Sequence, residues 1–312
     1  MTTPTRLQIT PLVLGGNVFG WTADRATSFA VLDAFVAQGG TMIDTADVYS
    51  AWVDGHSGGE SETVIGEWLK SSGKRDDVLI ATKVGMLPGE GGEKLAPARI
   101  AAACEASLKR LGTDRIDLYY AHQDDDSVAQ EDALAAFGKL VDAGKIRVVG
   151  ASNFHAGRLK SAVDVGKAVD NLPRYHVLQP EYNLVSRTKF EGELQDYCIQ
   201  ENIGVLPYYG LASGFLTGKY RSKDDLGKSV RGGRMKDLLD GKGPDVLAAM
   251  DVVAEETGAS LAQIALAWLI AQPGVTAPIA SATSVDQLEE SMGAITLDLT
   301  RDQLDRLTAS GA

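Results

Sequence analysis

Eight short runs of apolar and β-branched residues recur along the chain, with helical patterns between them. They are VLG at 13–15, TMIDTA at 41–46, VLIAT at 78–82, IDLYYA at 116–121, RVVGAS at 147–152, HVLQ at 176–179, IGVLP at 203–207 and VTAPIA at 275–280. Most are continuously apolar rather than alternating, as strands covered on both faces must be. Strands separated by helices can pair in parallel, because each connection is long enough to cross over. A doubly wound open sheet and a closed (β/α)8 barrel both satisfy this alternation. Eight repeats in 312 residues favour the α/β barrel without excluding the open sheet.

The intervening segments carry their own signals. In 97–111, Ile100, Cys104, Leu108 and Leu111 share one helical face, and Gly112 is a stop. Segment 129–144 repeats the pattern with Leu134, Phe137 and Leu140. Ser/Thr-x-x-Gln boxes at Ser260–Gln263, Ser284–Gln287 and Thr300–Gln303 predict three later helix starts. Two stretches fit no repeat: 47–60, and the Gly-, Lys- and Arg-rich 221–244, which is expected to be a long loop. No linker or break in composition divides the chain, so residues 1–312 are expected to form a single domain.

Charge narrows the partners. With 30 Lys+Arg against 42 Asp+Glu the net charge is −12, which speaks against nucleic acid, whose phosphates need clustered cations. The two cysteines, Cys104 and Cys198, form no CxxC pair and read as core filler in a reducing compartment. The N-terminus lacks a signal-peptide pattern, and the longest apolar run, 264–271, is too short to span a bilayer. A cytoplasmic protein with no membrane partner is expected. Four histidines without thiolate pairs or His-Glu-x-x-His predict no metal site. LGGNVFG at 14–20 is not Gly-x-Gly-x-x-Gly, and Gly-x-Ser-x-Gly is absent.

What remains is polar residues at strand ends, where a barrel places its chemistry. Asp44 and Tyr49 follow the second run, Lys83 ends the third and His122 the fourth. Singly these read as a loop cap, a rim aromatic, a solvated charge and a core imidazole. Four such coincidences on three successive strands point to chemistry instead.

DTADVY at 44–49, TK at 82–83, YYAH at 119–122, SNF at 152–154, QPEYNL at 179–184 and LASGFLTGKY at 211–220 resemble the signatures of the aldo-keto reductase family, in that family's order and over nearly the whole chain. The branch it resembles includes potassium-channel β subunits and bacterial aldehyde and sugar reductases. The resemblance implies a (β/α)8 TIM barrel with its active site at the carboxyl ends of the strands, and NADP(H)-dependent reduction of aldehydes or ketones. It implies Tyr49 as general acid, Lys83 as the ammonium that lowers the phenol's pKa, Asp44 as the residue aiming Lys83, and His122 as the group orienting the substrate carbonyl. Hydride addition leaves an alkoxide that needs a proton, and a free phenol near pKa 10 is a poor acid at neutral pH without such an ammonium beside it.

By the same resemblance Ser152, Asn153 and Gln179 would hold the nicotinamide carboxamide, Tyr208 would stack on the ring, and Leu211 and Ser213 would meet the pyrophosphate. Ser281, Gln287 and Glu290 fall in the segment facing the adenosine end, with Thr283 beside them. The basic residues that usually grip a 2′-phosphate are missing there, so NAD(H) is a possible cofactor and an NAD-linked alcohol or sugar dehydrogenase an alternative function. Arg231 or Arg234 could reach over from 221–244. Phe19, Trp21 and Trp52 are expected to wall a pocket for a neutral carbonyl or sugar substrate, and Asp124–Asp126 to form a solvated face. A non-catalytic, cofactor-sensing subunit is the alternative from another class; the oligomeric state is open.

Overall fold

The computed structural model of the chain describes residues 7–228 and 232–311. Every expected run contributes a strand: β1 Val13–Gly15, β2 Met42–Asp44, β3 Leu79–Val84, β4 Ile116–Ala121, β5 Ile146–Ser152, β6 Val177–Gln179, β7 Gly204–Val205 and β8 Ile279–Ala280. All pair in parallel; β1 to β7 are neighbours in chain order and β8 lies on the free side of β1. A parallel bridge between Val205 and Val275 joins β7 to the approach to β8. There Thr276 N–H donates to the Val205 carbonyl and Ile279 N–H to that of Pro207, both at 2.8 Å. The sheet therefore closes on itself, and the open-sheet alternative is excluded.

Helices α1 Arg25–Ala37, α2 Glu60–Ser72, α3 Pro97–Leu111, α4 Gln130–Asp142, α5 Ala156–Ala168 and α6 Glu193–Gln200 follow β1 to β6 in turn. Between β7 and β8 stand α7 Lys236–Asp240, α8 Gly243–Thr257 and α9 Leu261–Ile270; α10 Val285–Met292 and α11 Arg301–Ser310 complete the chain. Segment 221–244 is not the plain loop expected: it holds two 3₁₀ turns, Lys223–Lys228 and Gly232–Met235, followed by α7. Arg231, and the side chain of Arg234, lie outside the described residues. No helix among the described residues is long and apolar enough to cross a membrane.

Local chemistry explains the boundaries. Gly112 ends α3 at φ 63°, a left-handed conformation that favours glycine, and its N–H donates to Leu108 O. Reciprocal capping boxes start α9 at Ser260 and α11 at Thr300. At α10 only half the box forms: Ser284 caps Gln287 N–H, but the Gln287 side-chain oxygen Oε1 accepts from the N–H and hydroxyl of Thr283.

Side-chain alternation along the strands positions the site. Val13, Met42, Ala81, Leu118, Tyr120, Val148, Val177, Leu206, Ala277 and Ile279 pack together inside the barrel. Their alternate neighbours, such as Leu14, Ile43, Ile80, Tyr119, Val149 and Leu178, pack outward in the layer shared with the helices. At Gly150, the inward position between Val148 and Ser152, an added Cβ would lie 2.5 Å from the Tyr120 ring, so that ring occupies the space a side chain would take. Continuing the inward period of two toward the carboxyl ends reaches Gly15, Asp44, Lys83, His122, Ser152, Gln179, Tyr208 and Ser281, one from each strand.

Candidate active site

Seven of those eight positions, all except Lys83, line a cavity of about 480 Å³ at the carboxyl end of the barrel. Lys83 lies just behind it, fully buried. Its ammonium donates to Asp44 Oδ2 at 2.6 Å, to the Thr45 carbonyl at 2.7 Å and to the Tyr49 hydroxyl at 3.2 Å, which occupies its three protons. The second Asp44 oxygen accepts from Gln179 Nε2 at 2.9 Å. Four side chains from β2, β3, β6 and the loop after β2 are thus one hydrogen-bonded unit.

Burial opposes the Lys83 charge, but Asp44 and the phenol outweigh it, and the lysine holds its proton more tightly than a free one. The phenol departs from expectation. Desolvation raises Tyr49 above the ordinary value of 10.0, and the attraction of Lys83 offsets this only in part. Tyr49 is therefore a protonated donor throughout the neutral range, and the ammonium limits the rise rather than producing a net fall. His122 is pushed well below 6.5, first by burial and then by Lys83, so its ring is neutral. Its Nδ1 is buried without a partner among the described residues. The ring meets that of Tyr49 edge-on at 6.0 Å.

Across the cavity, Ser152 Oγ donates to the Gln179 carbonyl at 2.9 Å. Asn153 sits at φ 58°, its Nδ2 donating to the His122 carbonyl at 2.9 Å and its Oδ1 accepting from the Tyr208 hydroxyl at 2.8 Å. Ser213, also on the cavity, lies in a run of positive φ angles through Ala212, Ser213 and Gly214, a strained turn of the kind kept at ligand sites. A Cβ on Gly214 would lie 3.0 Å from Lys219 Nζ, so a cation stands beside that turn.

The wall is aromatic: Trp52 packs edge-on against both Tyr49 at 5.7 Å and Trp21 at 5.6 Å. Trp52 is 49% exposed, a large apolar side chain left open at the mouth. Phe19 does not join it. Its ring is fully buried in the layer between strands and helices, where an apolar ring loses more water contact than at the rim. Leu211 packs against the core, and Gln287 and Glu290 are exposed on α10; none of these three lines the cavity. The acidic face after β4 is not simply solvated either: Asp124 forms a fork with Arg158 at 2.6 and 2.9 Å, and buried Asp125 caps Leu95 N–H.

Gly15, Asn17, Met86, Tyr209 and Lys219 were not picked out from sequence. Gly15 and Asn17 continue the inward period of β1 and were within reach of it. Met86 and Tyr209 lie in irregular backbone beyond their strands, where no period applies.

Residues 11–312 match the profile of the aldo/keto reductase family. The chain is 34% identical to the aldo-keto reductase YhdN of Bacillus subtilis over 91% of its own length and 83% of that protein's. It is 32% identical to the aldo-keto reductase yakc [NADP(+)] of Schizosaccharomyces pombe, covering 90% and 81%. A probable voltage-gated potassium channel subunit beta of Arabidopsis thaliana is 31% identical, covering 93% and 88%.

Proposed function

The chain belongs to the aldo/keto reductase family and is an oxidoreductase of carbonyl compounds; from that premise we propose that it is an NADP(H)-dependent reductase of neutral aldehydes and ketones with Tyr49 as proton donor. The observation carrying this reading is the buried Asp44–Lys83–Tyr49 chain opening onto a cavity lined by neutral His122. Residues 1–312 are read as one catalytic domain, working in the cytoplasm.

A carboxamide-bearing ring requires adjacent donors and acceptors beside a flat face. Ser152, Asn153 and Gln179 supply the first and Tyr208 the second, which supports a nicotinamide at this wall. At Gly15 a Cβ would lie 2.5 Å from Ser281 Oγ, so glycine keeps the seam between β1 and β8 open. Ser213 and Lys219 suit a pyrophosphate. When bound, the reduced nicotinamide supplies the hydride. Tyr49 gives its proton to the carbonyl oxygen as negative charge develops there. Lys83, kept charged by Asp44, stabilises the phenolate left behind. Neutral His122 donates a hydrogen bond to the same oxygen and orients it.

The NADP(+) in the name of the S. pombe relative supports NADP(H). One observation favours the second reading, NAD(H): Ser281, Thr283, Gln287 and Glu290 bring no cation to the α10 end. The test is oxidation of NADPH and NADH in parallel against 4-nitrobenzaldehyde and methylglyoxal, followed by absorbance. Faster turnover with NADPH supports the leading reading; activity with NADH alone replaces it by the NAD-linked one. Cofactor binding without turnover overturns both in favour of a sensing subunit.

A further inference from the structure

Behind the cavity wall lies a second charged cluster that the proton transfer does not use. Asp47, in the loop after β2, is fully buried, and its N–H donates to the Lys83 carbonyl at 3.3 Å. Its Oδ2 lies 3.4 Å from Arg99 Nη2, and its Oδ1 has no partner among the described residues. Arg99, buried on α3, also donates from Nε to the Leu87 carbonyl at 3.1 Å and from Nη1 to that of Glu90 at 3.3 Å. One guanidinium thus reaches two loops: the one that bears Tyr49, two residues beyond Asp47, and the one after β3 that brings Met86 to the cavity. Glycine makes room for it, since a Cβ on Gly89 would lie 2.7 Å from Arg99 Nη1.

A buried pair held by one long contact, with a carboxylate oxygen unsatisfied, is a poor device for stability. We propose that Asp47 and Arg99 are a positioning pair: they tether the two loops to each other and thereby set where the Tyr49 hydroxyl stands against Lys83. Asp47 acts through the loop, touching neither substrate nor cofactor. The proposal rests on the reading of Tyr49 as proton donor for its catalytic consequence, though the tether itself does not.

Among the described residues, the titratable groups around Asp47 are Glu62 on α2, Arg99 and Arg110 on α3 and the Tyr119 hydroxyl on β4, which has no partner there. Glu62 is itself fixed by the Thr82 hydroxyl and Arg110 Nε, both at 2.6 Å. Burial and then Glu62 raise Asp47 to about 7 against the two arginines. Protonation below that value removes the attraction to Arg99, so the tether loosens on the acid side of neutrality.

Hydrogen–deuterium exchange of peptides spanning 44–59 and 85–96 tests the tether, alongside kcat and NADPH affinity. Arg99→Lys retains the charge but loses the fork; Gly89→Ala leaves every charge in place and displaces only the flexible end of Arg99. In both variants exchange in the two segments rises about tenfold while the strands stay protected, and kcat falls about tenfold with NADPH affinity unchanged. Asp47→Asn abolishes the loss of wild-type kcat between about pH 7.5 and 6. Unchanged exchange in both segments, or a uniform rise along the whole chain, overturns the proposal. If the wild type reduces no carbonyl, the reading of Tyr49 fails, and the exchange result still decides the tether.

Discussion

The fully buried Lys83 ammonium donates to the Tyr49 hydroxyl at 3.2 Å, so a fixed positive charge stands against the phenol oxygen. Desolvation nevertheless keeps Tyr49 above 10.0, which suits the role of acid proposed for it. Tyr49→Phe removes the proton and little else. Turnover should fall by about 10²–10⁴-fold, the usual worth of a general acid. Cofactor affinity, followed by tryptophan fluorescence, should stay within about threefold; a variant with near-normal turnover contradicts the assignment.

Lys83→Met should destabilise far more than an exposed lysine would. It strands the buried Asp44 carboxylate, which burial already raises above 3.8. Breaking such a pair costs about 3–5 kcal/mol. Urea unfolding of Lys83→Met, Asp44→Asn and the double variant should show the double as less destabilised than the sum of the singles.

His122 should make stability depend on pH. Its proton affinity is depressed in the fold, so below 6.5 the unfolded chain binds the extra proton and stability is lost as pH falls. The contribution is at most about 1.4 kcal/mol per pH unit. Asp47, raised to about 7, acts oppositely: its stabilisation is present at low pH and fades as pH rises through that value. The informative quantity is therefore the stability of wild type minus His122→Gln. It should climb from about pH 5 to 6.5 and be flat above 7; a flat difference throughout would sink the claim.

Cofactor choice should respond to one added charge. Gln287 is exposed at the start of α10, its side-chain oxygen bonded to Thr283 and its N–H to the Ser284 cap. Gln287→Arg should raise the preference for NADPH over NADH by about 10–100-fold, the range of one charge-assisted hydrogen bond. Paired KM measurements for both cofactors check it.

The aromatic mouth predicts substrate scope. Among the described residues no lysine or arginine lines the cavity, so a carboxylate on the substrate gains no partner. 4-Nitrobenzaldehyde should be reduced with at least about tenfold higher kcat/KM than 4-carboxybenzaldehyde. Trp52→Ala should raise KM for the aromatic aldehyde and leave NADPH binding unaltered.

The strands were legible because their burial on both faces left continuous apolar runs, and Asp44, Lys83 and His122 because strand ends are where such a fold exposes polar groups. Phe19 misled because position in sequence near a rim says nothing about which way a ring turns; its neighbours in the core decide that. Asp125 reads as a loop acid until the Leu95 N–H it caps is seen, a contact made across 30 residues. The net direction for Tyr49 needed burial as well as charge, and sequence supplies only the charge. Ser284 and Gln287 satisfy the capping pattern, yet the competing Thr283 groups capture the glutamine side chain.

The inward period of two has a consequence for how this protein can change. Deleting Thr82 would turn Lys83 toward the helices and hand Val84 to the site, whereas replacing the Trp52 side chain alters the mouth and leaves the strand-borne groups beneath it in place. Asp44, Lys83 and His122 are thus clocked to the staves of the barrel, while Tyr49 and the aromatic mouth ride together on the loop at its lip, so a change of mouth that spares the side chain of Tyr49 must also spare its backbone.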